Sequence, residues 1–587
     1  MVNGKQKILK NIHLLPFLGV VLISILCLAN IPQLKNIQVI NDEFGYWGIT
    51  ALFLENDWSG LMQSAPYYSY GYSILMAILV KMCQSPVSMY SIAILLNAFL
   101  VVLSYLIAIR CWKLQFPATN QIVASIIPLA IVLYSNTYAQ TQIAWSETLL
   151  YFLFWLNYYL VLKCSTIKES GRSFIYIICL ILSSVFMYTV HQRSLGVLVA
   201  VGVFIVYKVS KLFCEDKKTL IFAIFLLGIT IGVFFVLEII KGNLKDILWL
   251  NGEFSEKNDY STMIAMAGNL VTWDGILRLI NSIFGKIYYV LNSTLFIGGF
   301  GVVFIFKETW RFLKNKCSEE RVIFAYAFFS IGLTFGIDAY TMVGNYRLDV
   351  PVYGRYFELA IGPLLLLGAG YILYERSNIK QEFILLLVLG LVGMFSVNGM
   401  YATATTREYN GYCAIGLYKF FCSGFDLNSI AFEIMGICIL LTLIYLFIIM
   451  RSKNSNLGII AAFAIVCSFW FSQSNEMISN IILKWQSRIE TNIGTISQLI
   501  SEENDVKKIY IIQPDEEVYG DDYFFKQMQF ALFDKEIHRI YLEDILDDNY
   551  ELEALYLLPK GSELYAKISD KFEIICEEGY LTLLKVK

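Results

Sequence analysis

Residues 87–109 read VSMYSIAILLNAFLVVLSYLIAI and contain no charged side chain. A helix that crosses a bilayer needs about 20 consecutive, largely apolar residues, so this stretch predicts a transmembrane helix. The whole chain has the same character, because 57% of its 587 residues are hydrophobic and only 16% are charged. Soluble globular proteins carry about 25% charged residues. The sequence therefore excludes a soluble enzyme, a disordered scaffold and a nucleic-acid-binding protein, and it predicts a polytopic α-helical membrane protein.

Similar apolar stretches recur along the chain and predict about 13 transmembrane helices. They lie at 12–31, 87–109, 121–138, 148–162, 173–191, 194–208, 219–240, 282–306, 322–342, 356–374, 381–400, 429–450 and 457–473. The stretch 70–82 is too short to cross a bilayer comfortably. We expect it to form a juxtamembrane or re-entrant helix.

The charge of the connecting loops predicts how the helices are oriented. Short cytoplasmic loops of membrane proteins carry an excess of Lys and Arg, and basic residues cluster here at alternate ends of the predicted helices. Examples are Lys7, Lys163, Lys217, Arg311 and Arg451. This pattern predicts a cytoplasmic N-terminus, and the odd number of helices places the C-terminus outside. Many Ile, Lys and Asn residues with only 10 prolines indicate a multi-pass protein of a bacterial plasma membrane.

The character of the sequence changes after residue 474. We expect residues 1–474 to form the transmembrane domain, with a first external loop at 32–86 that carries juxtamembrane helices. Residues 475–587 are predicted to form an extracytoplasmic helical linker and a small α/β domain. Short strand-like runs such as KKIYIIQP alternate there with the helix-like DDYFFKQMQFALF. This part has no Gly-rich phosphate loop and no nucleophile elbow, so it reads as a structural or partner-docking cap.

The cysteines and histidines of this chain do not indicate a metal site or a redox-active motif. Cys413 and Cys422 lie in one predicted loop and could form a disulfide if that loop is extracytoplasmic. No CxxC motif occurs, and the three histidines are too scattered for a His-rich metal site.

Ionisable residues gather on the predicted external side of the membrane. Asp42 and Glu43 lie early in the first external loop, and Glu147 lies at the mouth of the fourth predicted helix. The other candidates are cationic or aromatic residues of two later external turns, namely His191, Arg193, Arg347, Tyr353, Arg355 and Tyr356. Each alone could be a solvated residue of the membrane interface, but ionisable residues at membrane depth commonly mark a functional site.

Two residue types in this group suggest a reaction. Arginine binds phosphate oxygens through two parallel hydrogen bonds and never loses its charge. A carboxylate can take a proton from an incoming hydroxyl group. Both types at one membrane–water boundary favour a phosphorylated lipid whose head group leaves while an acceptor attacks.

The order of these motifs resembles the GT-C superfamily of integral-membrane glycosyltransferases, which includes protein O-mannosyltransferases and aminoarabinose transferases. The matching positions are Asp42-Glu43, Ser146-Glu147, Arg193 and Arg355-Tyr356, and the resemblance covers roughly residues 10–375. The sequence departs from the pattern at one point. Aminoarabinose transferases place a lysine beside a Pro-Pro pair before the second helix, whereas this chain has PYYSYGY, which begins at Pro66. Arg193, Arg347 or Arg355 would then contact the donor phosphate.

The resemblance implies inverting transfer of a sugar from a polyprenyl-phosphate donor to an acceptor hydroxyl at the external membrane face. The acceptor would be a glycan, a lipid or a protein. Asp42 would be the general base, with Glu43 as the alternative, and Glu147 would orient the acceptor or the sugar hydroxyls. The donor phosphate and substrate would be bound by His191, Arg193, Arg347, Tyr353, Arg355 and Tyr356. A divalent metal is conceivable because two acids could hold one, but we expect no metal and no other cofactor.

Two other classes of function remain open. A polymerase or ligase of surface polysaccharides would also have about 12 membrane spans and external arginines. Such an enzyme more often carries its largest loop between late helices, whereas the largest external piece here is C-terminal. A transporter would show internal repeats and helices broken by Gly or Pro at matching positions, and the sequence shows no such repeat.

Overall fold

The computed structural model describes most of the chain, and all structural statements below concern the described residues. These are residues 14–62, 65–67, 69–166, 170–213, 217–249, 267–268, 270–314, 319–343, 347–374, 378–403, 410–422, 429–452, 455–503, 505–514 and 522–587. The N-terminal lysines that contribute to the predicted orientation lie outside these ranges.

Helices dominate the described residues. In the first half of the chain they are α1 (Leu14–Leu28), α2 (Ile40–Phe53), α3 (Ser59–Met62), α4 (Gly71–Val80), α5 (Pro86–Gln115), α6 (Gln121–Val132), α7 (Ser135–Gln140), α8 (Glu147–Thr166), α9 (Ser170–Val190), α10 (Leu195–Phe213) and α11 (Lys217–Trp249). They continue as α12 (Trp273–Ser293), α13 (Ile297–Lys314), α14 (Val322–Thr341), α15 (Ile361–Tyr374), α16 (Ile379–Thr403), α17 (Tyr418–Cys422), α18 (Ile430–Arg451), α19 (Asn456–Met477) and α20 (Lys484–Glu502).

Local sequence explains where the longest of the early helices begins. Pro86 occupies the first turn of α5, where its missing N–H is not needed. The Ser85 hydroxyl accepts a hydrogen bond from the Ser88 N–H, and the Ser88 side chain returns one to the Ser85 backbone. This capping box satisfies two donors that the helix start would otherwise leave unpaired.

Six of the described helical segments are long and apolar enough to cross a membrane, or seven if one bent pair counts as a single span. Four shorter apolar helices accompany them. Large apolar side chains on these helices are exposed, among them Phe17, Phe99, Phe395 and Phe447. Such a surface requires lipid, so the protein is a multi-pass membrane protein. All 13 predicted stretches contain helix, but their number as complete spans stays a prediction.

One predicted span, 282–306, differs from the structure. This stretch forms parts of two helices, α12 and α13, and the chain bends by 114° between them. Leu295 and Phe296 between them have φ angles of 47° and 64°, a left-handed backbone that ends one helix and redirects the next. Both halves are apolar, so hydropathy alone does not reveal the bend. The short stretch 70–82 forms the ten-residue helix α4, too short to span, as predicted.

The C-terminal part is a five-stranded sheet with helices. The strands are β1 (Lys508–Gln513), β2 (Glu536–Tyr541), β3 (Leu555–Pro559), β4 (Phe572–Glu578) and β5 (Leu581–Val586), in the order β2-β1-β3-β5-β4. β1 pairs in parallel with β2 and β3, whereas β5 pairs antiparallel with β3 and β4. The accompanying helices are α21 (Asp522–Ala531), α22 (Leu542–Leu546) and α23 (Leu564–Ile568). Sequence reasoning missed β2, because His538 and Arg539 interrupt its apolar pattern.

A helical segment and direct side-chain contacts connect this sheet to the membrane part of the protein. Residue 474 lies inside a continuous helical segment that runs from Asn456 to Glu502 and contains a π-helical turn at Ile478–Leu483. Helix α21 packs on α2, where the rings of Phe530 and Trp47 lie 4.9 Å apart. Lys526 of α21 donates a hydrogen bond to the Asn41 side chain at 2.6 Å. The C-terminal part therefore supports the first turn of α2.

The two loop cysteines are not joined. Cys413 is buried and Cys422 is exposed, and both are free thiols. The backbone oxygen of Cys413 has a structural role, because it accepts hydrogen bonds from the N–H groups of Gly354 at 2.8 Å and Arg355 at 3.2 Å.

Candidate active site

The first turn of α2 holds two neighbouring carboxylates in opposite environments. Glu43 is fully buried and accepts four hydrogen bonds. Three come from backbone N–H groups, those of Gln38 at 2.6 Å, Val39 at 2.7 Å and Ala144 at 2.9 Å, and one comes from the Tyr90 hydroxyl at 2.9 Å. Burial raises the pKa of Glu43 to about 7, although these hydrogen bonds lower it in part. Glu43 thus ties together two loops of the site.

Asp42 lies at the edge of a cleft. Its side chain is 16% exposed, and one carboxylate oxygen accepts a hydrogen bond from Nη1 of Arg355. It borders an open space of about 760 Å³, which we call the basic cleft, lined also by Arg347, Lys484, Trp485 and Arg488. Of the two adjacent acids, Asp42 is therefore the one that an incoming molecule can reach.

Glu147, the first residue of α8, connects two arginines. Its Oε1 accepts a hydrogen bond from Nε of Arg355 at 2.6 Å, and its Oε2 accepts one from Nη2 of Arg193. Exposure of the three side chains is only 3–5%. Asp42, Glu147, Arg193 and Arg355 form one buried network with two negative and two positive charges, hereafter the arginine network. Pairing of this kind is what allows charges to be buried.

The arginine network leaves hydrogen-bonding capacity unused. Within the described residues, Nε and Nη1 of Arg193 are buried and have no hydrogen-bond partner. The Arg193 guanidinium lies 4.9 Å from the centre of the Tyr356 ring, and that of Arg355 lies 3.9 Å from the Trp145 ring. Burial lowers the pKa of Arg355, but Asp42 and Glu147 outweigh this effect and hold it well above its ordinary value. These contacts give both guanidinium groups defined orientations.

His191 and Tyr356 complete this side of the site. Nδ1 of His191 accepts a hydrogen bond from the Arg193 N–H at 3.2 Å, and its ring centre lies 6.2 Å from that of Tyr356. The donor is the backbone N–H of Arg193, so His191 caps the short helical turn Gln192–Ser194 that carries Arg193.

Arg347 lies apart from the arginine network. Its guanidinium forms two hydrogen bonds with Asp349, at 2.9 and 2.8 Å, and it lines the basic cleft. Tyr353 contributes its backbone carbonyl, which accepts a hydrogen bond from the buried ammonium group of Lys286 at 2.7 Å. Of the predicted cationic residues, Arg193 and Arg355 are brought together with Glu147, and Arg347 is not.

Sequence reasoning missed Lys286, which holds the loop that carries Arg355. Its ammonium group lies 2.9 Å from the Asp338 carboxylate, and both side chains are almost completely buried. Gly354, next to Arg355, packs against Tyr289 so closely that a Cβ atom would overlap the ring. Lys286 lies within an apolar stretch predicted to cross the membrane. An ionisable residue in such a stretch is the signal that would have identified it.

A divalent metal fits these contacts poorly. Within the described residues, no group of three or more His, Cys, Asp or Glu side chains is arranged to hold one. Asp42 and Glu147 each accept hydrogen bonds from an arginine, so an ion bound there would have to displace a guanidinium group. Independence from metal stays a prediction.

The fold matches those of known membrane proteins, although no family model and no curated sequence matches the chain. ArnT from Cupriavidus metallidurans bound to undecaprenyl phosphate is similar with a TM-score of 0.52 at 11% identity, over 97% of both chains. The apo state of ArnT is similar with a TM-score of 0.51 at 11% identity and 97% coverage of both chains. The match to arabinosyltransferase EmbB from Mycobacterium smegmatis covers 82% of this chain and 42% of the EmbB chain, with a TM-score of 0.39 at 11% identity. The similarity to ArnT shows that the two proteins share a fold, in agreement with the GT-C-like fold that the order of the motifs predicted.

Proposed function

We propose that the protein transfers a sugar from a polyprenyl-phosphate donor to an acceptor hydroxyl, with inversion at the anomeric carbon. The observation that carries this proposal is the pair of unpartnered, buried donors of Arg193 beside the Glu147 bridge. Buried donors without partners are costly, and a phosphate oxygen would satisfy them. ArnT, which shares the fold, was solved with undecaprenyl phosphate bound, and this supports a lipid phosphate as the ligand here.

In this proposal Asp42 is the general base. It takes the proton of the acceptor hydroxyl while that oxygen forms a bond with the anomeric carbon. The bond between this carbon and the donor phosphate breaks, and the lipid phosphate leaves with the electron pair. The proton then passes from Asp42 to water. Positioned bases of this kind contribute about 10²–10⁴ in rate.

The arginine network couples the two ends of the reaction. Arg355 donates to both Asp42 and Glu147, and Arg193 donates to Glu147. When Asp42 becomes protonated, its negative charge no longer balances Arg355. The field of that guanidinium then acts on the leaving phosphate, where negative charge is growing. Cations oriented in advance stabilise such charge without reorganisation.

The proposed setting is the external face of a bacterial plasma membrane, with the N-terminus in the cytoplasm and the C-terminal sheet outside. The positive-inside distribution of loop charges supports this orientation. The donor would then approach from the bilayer and the acceptor through the basic cleft.

Binding of undecaprenyl phosphate to the purified protein tests the proposal. Arg193→Gln should weaken binding at least about tenfold, since it removes a charge-assisted contact worth about 1.5–3 kcal/mol, and Arg193→Lys should weaken it less. Arg311→Gln is the matched control, because Arg311 pairs with Glu308 at the other end of the bundle. Equal affinities of Arg193→Gln and the wild type would overturn the phosphate assignment.

A further inference from the structure

The basic cleft beside Asp42 has a charge that the transfer reaction does not use. Three of the residues that line it are cationic: Arg347, Lys484 and Arg488. Arg347 is neutralised by its two hydrogen bonds with Asp349. Lys484 and Arg488 form no ion pair with any carboxylate within the described residues. The cleft therefore holds two positive charges that are not compensated by the protein.

Another face of helix α20 does form an ion pair with a neighbouring segment. Lys35 forms an ion pair with Glu490 at 3.0 Å, on another face of α20. Lys484 and Arg488, by contrast, are four residues apart on the face toward the cleft. Like charges with this spacing repel and destabilise a helix slightly. Their placement is unfavourable for folding alone and favours an anionic ligand.

The cleft wall also has an unusual backbone. The helical segment passes through a π-helical turn at Ile478–Leu483 immediately before Lys484. Such turns are rare and frequently lie at functional sites. Two residues of this turn, Asn480 and Ile481, line the cleft, followed by Lys484 and Trp485. The turn thus shapes the wall on which both uncompensated cations lie.

We propose that the basic cleft binds the acceptor, and that this acceptor is a glycan that carries an anionic group such as a phosphate, sulfate or carboxylate. The inference rests on the proposed function, which makes Asp42 the base at the cleft edge. Lys484 and Arg488 bind the anionic group. The ring of the half-buried Trp485, whose centre lies 5.8 Å from the Arg488 guanidinium, forms the wall beside these two cations. Together they hold an acceptor hydroxyl near Asp42.

Binding of a model glycan tests this assignment without requiring transfer. The probes are fluorescently labelled sulfated maltohexaose and neutral maltohexaose, titrated against the full chain in phosphatidylcholine nanodiscs. We expect the wild type to bind the sulfated probe at least about tenfold more tightly, and Lys484→Gln/Arg488→Gln to lose that preference, as two charge-assisted contacts disappear. Lys560→Gln/Lys567→Gln removes the same charge from exposed positions of the C-terminal part outside the cleft and should bind like the wild type.

Two results would overturn the proposal. One is equal affinity of the wild type for the sulfated and neutral probes, and the other is an equal loss in both double variants. Arg193→Gln separates this inference from the proposed function, because it should weaken undecaprenyl phosphate binding and leave the sulfated probe bound. Loss of only the lipid phosphate interaction therefore concerns the donor site, and loss of only the probe interaction concerns the cleft.

Discussion

The two ends of the helix bundle contain the same ionic motif with different consequences. Helix α14 begins beside Arg321 and ends before the loop that carries Arg355. At one end Glu308 bridges Arg311 and Arg321, and at the other Glu147 bridges Arg193 and Arg355. The arginines paired with Glu308 are 50% and 34% exposed, whereas those paired with Glu147 are 3% and 5% exposed.

This difference in burial indicates which end of the bundle contains the functional site. Solvent can reach the remaining N–H groups of Arg311 and Arg321, so the partly exposed arginines of the Glu308 bridge need no further partner and the bridge contributes little. The two buried, unpartnered nitrogens of Arg193 have no such compensation. An arrangement that leaves such donors inside the protein is explained by a ligand that completes it. The two ends have the same number of ion pairs, and they differ in whether buried N–H groups lack hydrogen-bond partners.

The largest effect is expected from removing the charge at the centre of each bridge. Glu147→Gln should reduce sugar transfer about 10²–10³-fold, because both arginines lose their orientation. Glu308→Gln should change transfer less than about threefold, since exposed pairs contribute about 0–1 kcal/mol. Turnover of a panel of polyprenyl-phosphate sugars measures both. Similar losses in the two variants would remove the distinction between the ends.

A second comparison concerns lysines that contact carboxylates at the two ends. Lys286→Met leaves Asp338 buried without its partner and should destabilise the protein by about 3–5 kcal/mol. Replacing Lys307, which pairs with Glu382 and is 34% exposed, by Met should destabilise the protein less, because the Tyr371 hydroxyl still donates a hydrogen bond to Glu382.

Thermal unfolding in detergent measures both lysine variants. The double variant Lys286→Met/Asp338→Leu should regain most of the lost stability, because no unpaired charge remains. No difference between the two lysine variants would contradict the assignment of Lys286 as the anchor of the Arg355 loop.

A smaller effect is expected from pH. Burial raises the pKa of Glu43 from 4.5 to about 7, so the folded protein binds more protons than the unfolded chain between these values. Its contribution to the free energy of unfolding is present below pH 4.5 and falls as pH rises to 7, by up to about 3 kcal/mol. Unfolding measured across this range should show the slope in the wild type and in Glu308→Gln, and not in Glu43→Gln. An unchanged slope in Glu43→Gln would assign it to another group.

The smallest effect concerns the support of α2 by the C-terminal sheet. Lys526→Met removes the hydrogen bond to Asn41, a contact worth about 1.5–3 kcal/mol, next to the proposed base. Transfer should fall several-fold while undecaprenyl phosphate binding stays within about twofold. Lys560→Met, at an exposed position in the turn after β3, should change neither quantity. Full transfer by Lys526→Met would show that α2 needs no support from α21.

Much of the site was predictable because charged residues are rare in an apolar chain. Glu147, Arg193 and Arg355 are far apart in sequence, yet each lies at a helix end on one predicted side of the membrane, and the structure joins them. The fold shared with ArnT was predictable in the same way, from the order of short motifs. Their individual roles remain proposals.

The remaining features depend on contacts that a sequence does not display. Asp42 and Glu43 are adjacent and chemically alike, and only the hydrogen bonds of Glu43 distinguish them. Arg347 was grouped with the other arginines, but Asp349 two residues away competes for it. The bend at Leu295 and Phe296 arises from left-handed backbone angles within an apolar run.

Asp42→Asn tests the central claim most directly. Undecaprenyl phosphate binding and turnover of a polyprenyl-phosphate sugar are measured on the same preparation. The account predicts that binding stays within about twofold of the wild type while transfer falls at least about 10²-fold, because the base is lost and the donor site is kept. Wild-type turnover by Asp42→Asn would contradict the account.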